Sequence, residues 1–199
     1  MTNLAQITAN TAQELRDWLE ANHQQSESVW LVRHKKGRGA TYLEYPDIVD
    51  ELLCYGWVDS LPRALDEDRT MLRISPRNPK SNWSGINKEK VARLEIEGRM
   101  QPAGRRLVEL AKAGGQWTFL DDVEALVIPP DLRTALDSTG KAAYFWERFP
   151  PSSKRGILEW IKTARTATTR AKRIRETAAK AAENRKANFP AGRDAGPKG

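Results

Sequence analysis

Residues Trp57 to Ser75 read WVDSLPRALDEDRTMLRIS, and they decide the class of fold. Two runs of apolar and β-branched residues flank the acidic cluster Asp66-Glu67-Asp68, the pattern of a β-hairpin turning near Glu67 and Asp68. Pro62 has no N–H to give a neighbour, so the first strand is an edge strand or a bulged one. With the turn centred there, Trp57, Asp59, Leu61 and Leu65 share a face with Leu72 and Ile74, and Ser60, Arg73 and Ser75 take the other. The first face is apolar and should meet the core, which puts an acid, Asp59, on a mostly buried face. A slip of one residue would remove that inference.

On the N-terminal side, Thr11 with Glu14 three residues later has the form of a capping box and opens a helix in TAQELRDWLEAN. Leu15, Trp18 and Leu19 lie on one face of it. Ser28 to His34 is an apolar, β-branched run that reads as a strand, and KKGRGAT after it is a turn. YPDIVDELLCYG places Pro46 at the start of a helix and Gly56 just past its end.

On the C-terminal side, the hairpin runs into Ile74 to Asn87, ISPRNPKSNWSGIN, too rich in proline for regular structure. Asn87 is a suitable N-cap for the helix NKEKVARLEIEG, with Ile86 and Val91 spaced as a hydrophobic staple. Pro102 starts the next helix, and Gly114 and Gly115 end it. Everything after about Ile128 reads helical. The expected architecture is therefore α+β: a small antiparallel sheet of about three strands, hairpin included, packed with helices and followed by an all-helical module. Strands precede helices rather than alternating with them, which argues against a parallel α/β sheet. The divisions are a body over 1–115, a connector over 116–127, a helical module over 128–186 and, from its glycine and proline content, a disordered tail over 187–199.

The 199 residues carry a net charge of +7. From Lys162 to Gly199 there are eleven basic and three acidic residues, a net of +8, so Met1 to Ile161 sums to −1. A basic last helix with Lys172, Arg173, Arg175 and Lys180 gives an alternative reading, weak and salt-sensitive nucleic-acid binding. Arg73, Arg77, Lys80, Lys88 and Lys90 around Trp83 could add a stacking surface. No stretch approaches a membrane span, no basic start leads into an apolar run as in a secretory signal, and Cys54 is the single cysteine. A cytoplasmic protein without membrane insertion is expected.

ELLCYGWVDS, RISPRNPKSNWSGINKEKVARLEIEGRMQPAG, IPPDLRTAL, ILEWIKTA and TTRAKRIRET stand in this order from Glu51 to Thr177. Over roughly Leu15 to Lys186 the chain resembles the YdeI/OmpD-associated family of bacterial proteins, also called bacteriocin-protection proteins. The motif Pro79-Lys80-Ser81 with Trp83-Ser84 and Asn87 carries much of that resemblance. RTATTR departs from a family segment that usually holds a proline near Ala167, though Thr166 or Thr168 can still cap the last helix. The resemblance implies a soluble bacterial protein linked to envelope stress and bacteriocin resistance. It implies no catalytic residues.

The chemistry points away from familiar enzymes. Cys54 would need His34 as its base, and cysteine is more often core. Two histidines and one cysteine, far apart, make no metal motif, and KKGRGAT lacks the ending of a phosphate-binding loop. No cofactor is expected. DIVDE and DEDR read as helix-surface and turn acids. The remaining candidate is a cluster of Asp59, Arg77, Lys80, Ser81, Trp83, Ser84 and Asn87. It is either a structural anchor, Asp59 tying down its own loop, or a polar pocket for a small anionic ligand. A protein partner, or an enzyme acting on an anionic metabolite, are further alternatives.

Overall fold

A computed structural model describes residues 4–197. The chain divides into two compact units, 1–119 and 120–199. The first contains β1 (Gln6–Thr8), α1 (Ala12–Asn22), β2 (Val29–His34), α2 (Tyr45–Cys54), β3 (Trp57–Ala64), β4 (Arg69–Pro76), α3 (Gly85–Ile96) and α4 (Pro102–Ala113).

The sheet has four strands in the order β1-β2-β4-β3 among the described residues. β1 runs parallel to β2, while β2–β4 and β3–β4 are antiparallel. The class is α+β, but the sheet is mixed and has one strand more than expected. β1 is only three residues long, too short to show alternation in the sequence, and Thr11 accepts the Glu14 N–H to begin α1 soon after it. α2 packs against α1, β3, α3 and α4. Leu15, Leu19, Leu31, Ile48, Leu52, Trp57, Ile74 and Leu94 form the middle of the core.

The hairpin turns where expected, and β3 lies at the sheet edge as Pro62 requires. Its register changes halfway. Asp59 faces Ile74, but Pro62 faces Leu72, so the two residues between them bulge. Beyond the bulge Pro62 pairs with Leu72 and Ala64 with Thr70, both of them exposed on the edge strand, and Leu61 is left 47% exposed. The expected placement thus holds for Trp57 and Asp59 and fails for Leu61.

The second unit contains α5 (Asp121–Glu124), α6 (Pro130–Asp137), α7 (Ala142–Arg148), α8 (Pro151–Lys162) and α9 (Ala167–Ala182). Leu132, Leu136, Trp146, Phe149, Ile157, Ile161 and Ile174 make its core. Proline stands in the first turn of α6 and α8, where its missing N–H costs nothing. Thr166 caps α9 by accepting from the Thr169 N–H at 3.1 Å. Leu120 and Val123, in the segment expected to connect the units, are buried in this core.

The segment expected as a disordered tail, 187–199, is described up to residue 197, and it makes contacts with the end of α9. Arg185 donates to Asp194 at 2.8 Å, Ala187 and Asp194 are buried, and Arg185 and Ala195 form an antiparallel bridge. Composition alone hides this, because the contacts are few and specific: the Arg185–Asp194 pair, buried Ala187, Phe189 against the core, and bonds from Gly196 and to Pro197 at Asn184.

Candidate functional site

The loop after β4 is a stiff turn with a capped helix at its end. The Lys80 N–H donates to Asn78 Oδ1 at 2.9 Å, and the Ser81 N–H to the Asn78 carbonyl at 2.9 Å. Ser84, not Asn87, is the N-cap of α3, and its hydroxyl accepts the Asn87 N–H at 3.4 Å. Ile86 is 68% exposed, so no hydrophobic staple forms. The helix starts three residues early because Ser84 offers the same kind of cap as Asn87.

Of the seven residues expected to cluster, Arg77 and Trp83 meet. The Arg77 guanidinium lies 3.9 Å above the Trp83 ring and donates to the Asn82 carbonyl at 2.7 Å. Trp83 is buried in the core and packs on Trp117, so it cannot stack on a base. Lys80 points to solvent, while Ser81, Ser84 and Asn87 are half-buried and their described bonds serve the turn and the cap. Asp59 goes elsewhere. It accepts from the Tyr45 hydroxyl at 2.9 Å and lines a separate cavity of about 280 Å³ with Arg33 and Thr70. Burial, helped by Asp59, pushes the Tyr45 phenol up to about 12. Asp59 lies on the edge strand β3, where the start of α2 reaches it and the loop does not bond to it among the described residues.

Arg77 instead lines a cleft of about 680 Å³ with His23, Tyr55, Pro102, Ala103, Arg106 and Leu107. The local sequence explains how the cleft is built. Gly56 ends α2 at φ +73°, and a Cβ there would meet Leu107 at 2.7 Å. A Cβ on Gly104 would meet the Cys54 carbonyl oxygen at 2.3 Å. The two glycines let the start of α4 close on the end of α2. The Gly56 carbonyl then accepts the Arg77 N–H at 2.9 Å, bringing the loop to the same place. His23 caps α1, with its Nδ1 3.0 Å from the Leu19 carbonyl and its own carbonyl accepting from Trp57 Nε1 at 3.0 Å.

The cleft is cationic. No carboxylate lines it. Arg77 is 7% exposed and its Nε is buried without a hydrogen-bond partner. Burial lowers its guanidinium to about 10, which still leaves it charged at neutral pH. Arg106 is exposed. Such a buried cation without an acid is costly unless something negative approaches it.

A second set of charges escaped the sequence reading. Asp50 and Glu51, taken as surface acids, are 5% and 3% exposed. Asp50 accepts from Lys90 at 2.6 Å and Arg93 at 2.5 Å, and Glu51 from Arg16 at 2.9 Å and Arg99 at 2.6 Å. Burial pushes the Asp50 carboxyl up, but Lys90 and Arg93 more than reverse this and leave it below the ordinary range. No sequence signal announces this, because Asp47, Asp50 and Glu51 fall on the side of α2 opposite Ile48, Val49, Leu52 and Leu53. These pairs fasten α1 and α3 to α2.

Burial pushes the Cys54 thiol up to about 11, so it stays protonated, and the described bonds of His34 run to Asn10 and Thr41. Among the described residues no group of three His, Cys, Asp or Glu is placed to hold a metal, and no helix is long and apolar enough to cross a membrane. On the last helix, Arg170 pairs with Asp131 at 2.8 Å, Arg173 donates to the Trp160 carbonyl, and Lys180 pairs with Glu176 at 3.2 Å. Lys172 and Arg175 are exposed.

Comparison with known families divides the chain in a similar way. Residues 125–184 match the family described as Bacteriocin-protection, YdeI or OmpD-Associated. Residues 7–107 match a different family, a domain of unknown function (DUF8412). No curated protein and no solved structure matches.

Proposed function

The chain belongs to the bacteriocin-protection, YdeI or OmpD-associated family through its second unit and to the DUF8412 family through its first, and on that premise we propose that it is a non-catalytic binding protein that takes a small anionic ligand in the cleft over Arg77. The observation that carries the reading is the guanidinium itself: nine-tenths buried, fixed on Trp83, unpaired with any carboxylate among the described residues, and lining an open cleft. Structural arginines at that depth are ordinarily paired. A ligand anion supplies the missing charge and accepts from donors already in position. The volume suits a small molecule. A role in bacteriocin protection takes up the words of the family description; a stress role is proposed with it, and the single buried cysteine supports a cytoplasmic location.

The test is thermal unfolding of the full chain with a panel of small carboxylates, sulfates and phosphates at constant ionic strength. A ligand that binds only the folded state must raise the melting temperature, by about 2.7 kcal/mol of stability at a hundredfold excess over Kd. At least one anion should do so, and Arg77→Gln should abolish the shift. A panel in which no anion moves the transition rejects the reading.

A further inference from the structure

The cleft shows which anion it suits. Two cationic side chains, Arg77 and Arg106, line it, and no carboxylate does. The start of α4 faces the same space through Pro102 and Ala103. The first described backbone bond closing that helix runs from the Arg105 N–H to the Gln101 carbonyl, so the amides of Ala103 and Gly104 lie ahead of the ladder. Gln101 gives them no side-chain cap. A twelve-residue helix carries partial positive charge at this end. That feature alone would not define a ligand site. The second observation is Arg77, whose guanidinium is nine-tenths buried in the cleft wall with its Nε unpartnered. Trp83 and the Asn82 carbonyl hold its plane, so little side-chain freedom remains to be lost on binding.

Three separate sources of positive potential exceed what one carboxylate neutralises. A phosphate monoester carries about −1.5 to −2 charges at neutral pH and presents three terminal oxygens. Arg77, Arg106 and the Ala103 amide at the start of α4 line the one cleft, the combination of guanidinium and helix start that suits phosphate elsewhere. Tyr55 and Leu107 leave apolar surface beside them for the esterified body. We infer that the ligand of this cleft is a small phosphate monoester with an apolar or aromatic body. The inference rests on the anion-binding reading above.

Calorimetric titration of the full chain with phenyl phosphate and with benzoate, at equal ionic strength, separates the two. Phenyl phosphate should bind at least about tenfold more tightly than benzoate, the ratio that 1.4 kcal/mol supplies. Arg106→Gln, a change at an exposed side chain, should weaken phenyl phosphate by about tenfold and benzoate by no more than about twofold at an unchanged melting temperature. Equal affinities, or tighter benzoate, overturn the phosphate assignment and leave the anion reading standing. Binding of neither overturns both. An Arg106→Gln protein with undiminished phenyl phosphate affinity overturns the two-cation account.

Discussion

Asp50 and Glu51 are buried on α2 with four cations set against them, whereas Arg77, in the same unit, is buried with none of the described carboxylates beside it. Both places take charge out of water. In the first, the compensation is internal, and each acid fastens neighbouring elements. In the second, only a tryptophan face and one carbonyl answer the charge. The contrast separates charge used for holding the fold from charge left over for something else. It also gives a scale on which substitutions should rank.

The largest effect should follow removal of a compensated acid. Glu51→Gln leaves Arg16 and Arg99 facing a neutral group in a buried setting, and should cost about 3–5 kcal/mol in urea unfolding. The Asp50 pairs with Lys90 and Arg93 bear on the acid limit of stability. The folded Asp50 carboxyl is held below its ordinary range, so its contribution is complete above about pH 5 and is lost as pH falls through the carboxylate range and beyond. Asp50→Asn should therefore flatten the acid limb of a stability-against-pH curve. Gly56→Ala comes next. It puts a Cβ at a left-handed backbone position and against Leu107, for about 1–2 kcal/mol from the backbone alone. It should also narrow the cleft and reduce anion-induced stabilisation. Arg77→Met should cost less, about 1 kcal/mol, because it strands no counter-charge and the thioether can fill the space on Trp83. A cost for Arg77→Met equal to that of Glu51→Gln would erase the distinction. Tyr45→Phe should be smallest, about 0.5–1 kcal/mol for one hydrogen bond at a partly exposed site, with no effect on anion binding, since Asp59 and Tyr45 line a different cavity.

The hairpin, the helix starts at Pro46 and Pro102, and the turn at Gly56 were readable because each depends on local backbone chemistry. Arg77 and Trp83 belonged to the expected cluster of seven, and they meet within their own loop. What failed was everything decided by distant neighbours. The bulge before Pro62 moved Leu61 outward, and Tyr45 of α2, distant in sequence, took Asp59 as its acceptor. Asp50 and Glu51 looked like surface acids because their partners come from four other places in the chain. His23 and Arg106 reach the cleft only because Gly56 and Gly104 let α4 approach α2, and no spacing in the sequence announces that approach. The family resemblance spanned most of the chain, but the YdeI/OmpD-associated match covers 125–184 and a separate family covers 7–107.

The Arg185–Asp194 pair changes how the basic end of the chain should be probed. Cutting after Glu183 would remove Asp194 and Ala187 together with the positive charges, and so strip cover from the end of α9 as well as its electrostatics. Any loss of oligonucleotide binding after such a cut would confound two causes. Reversing charge at Lys172 and Arg175, both exposed on α9, keeps the clasp shut. Trypsin reports on the clasp directly: while it is closed, the bonds after Arg185 and Lys186 should resist cleavage longer than the one after Arg165.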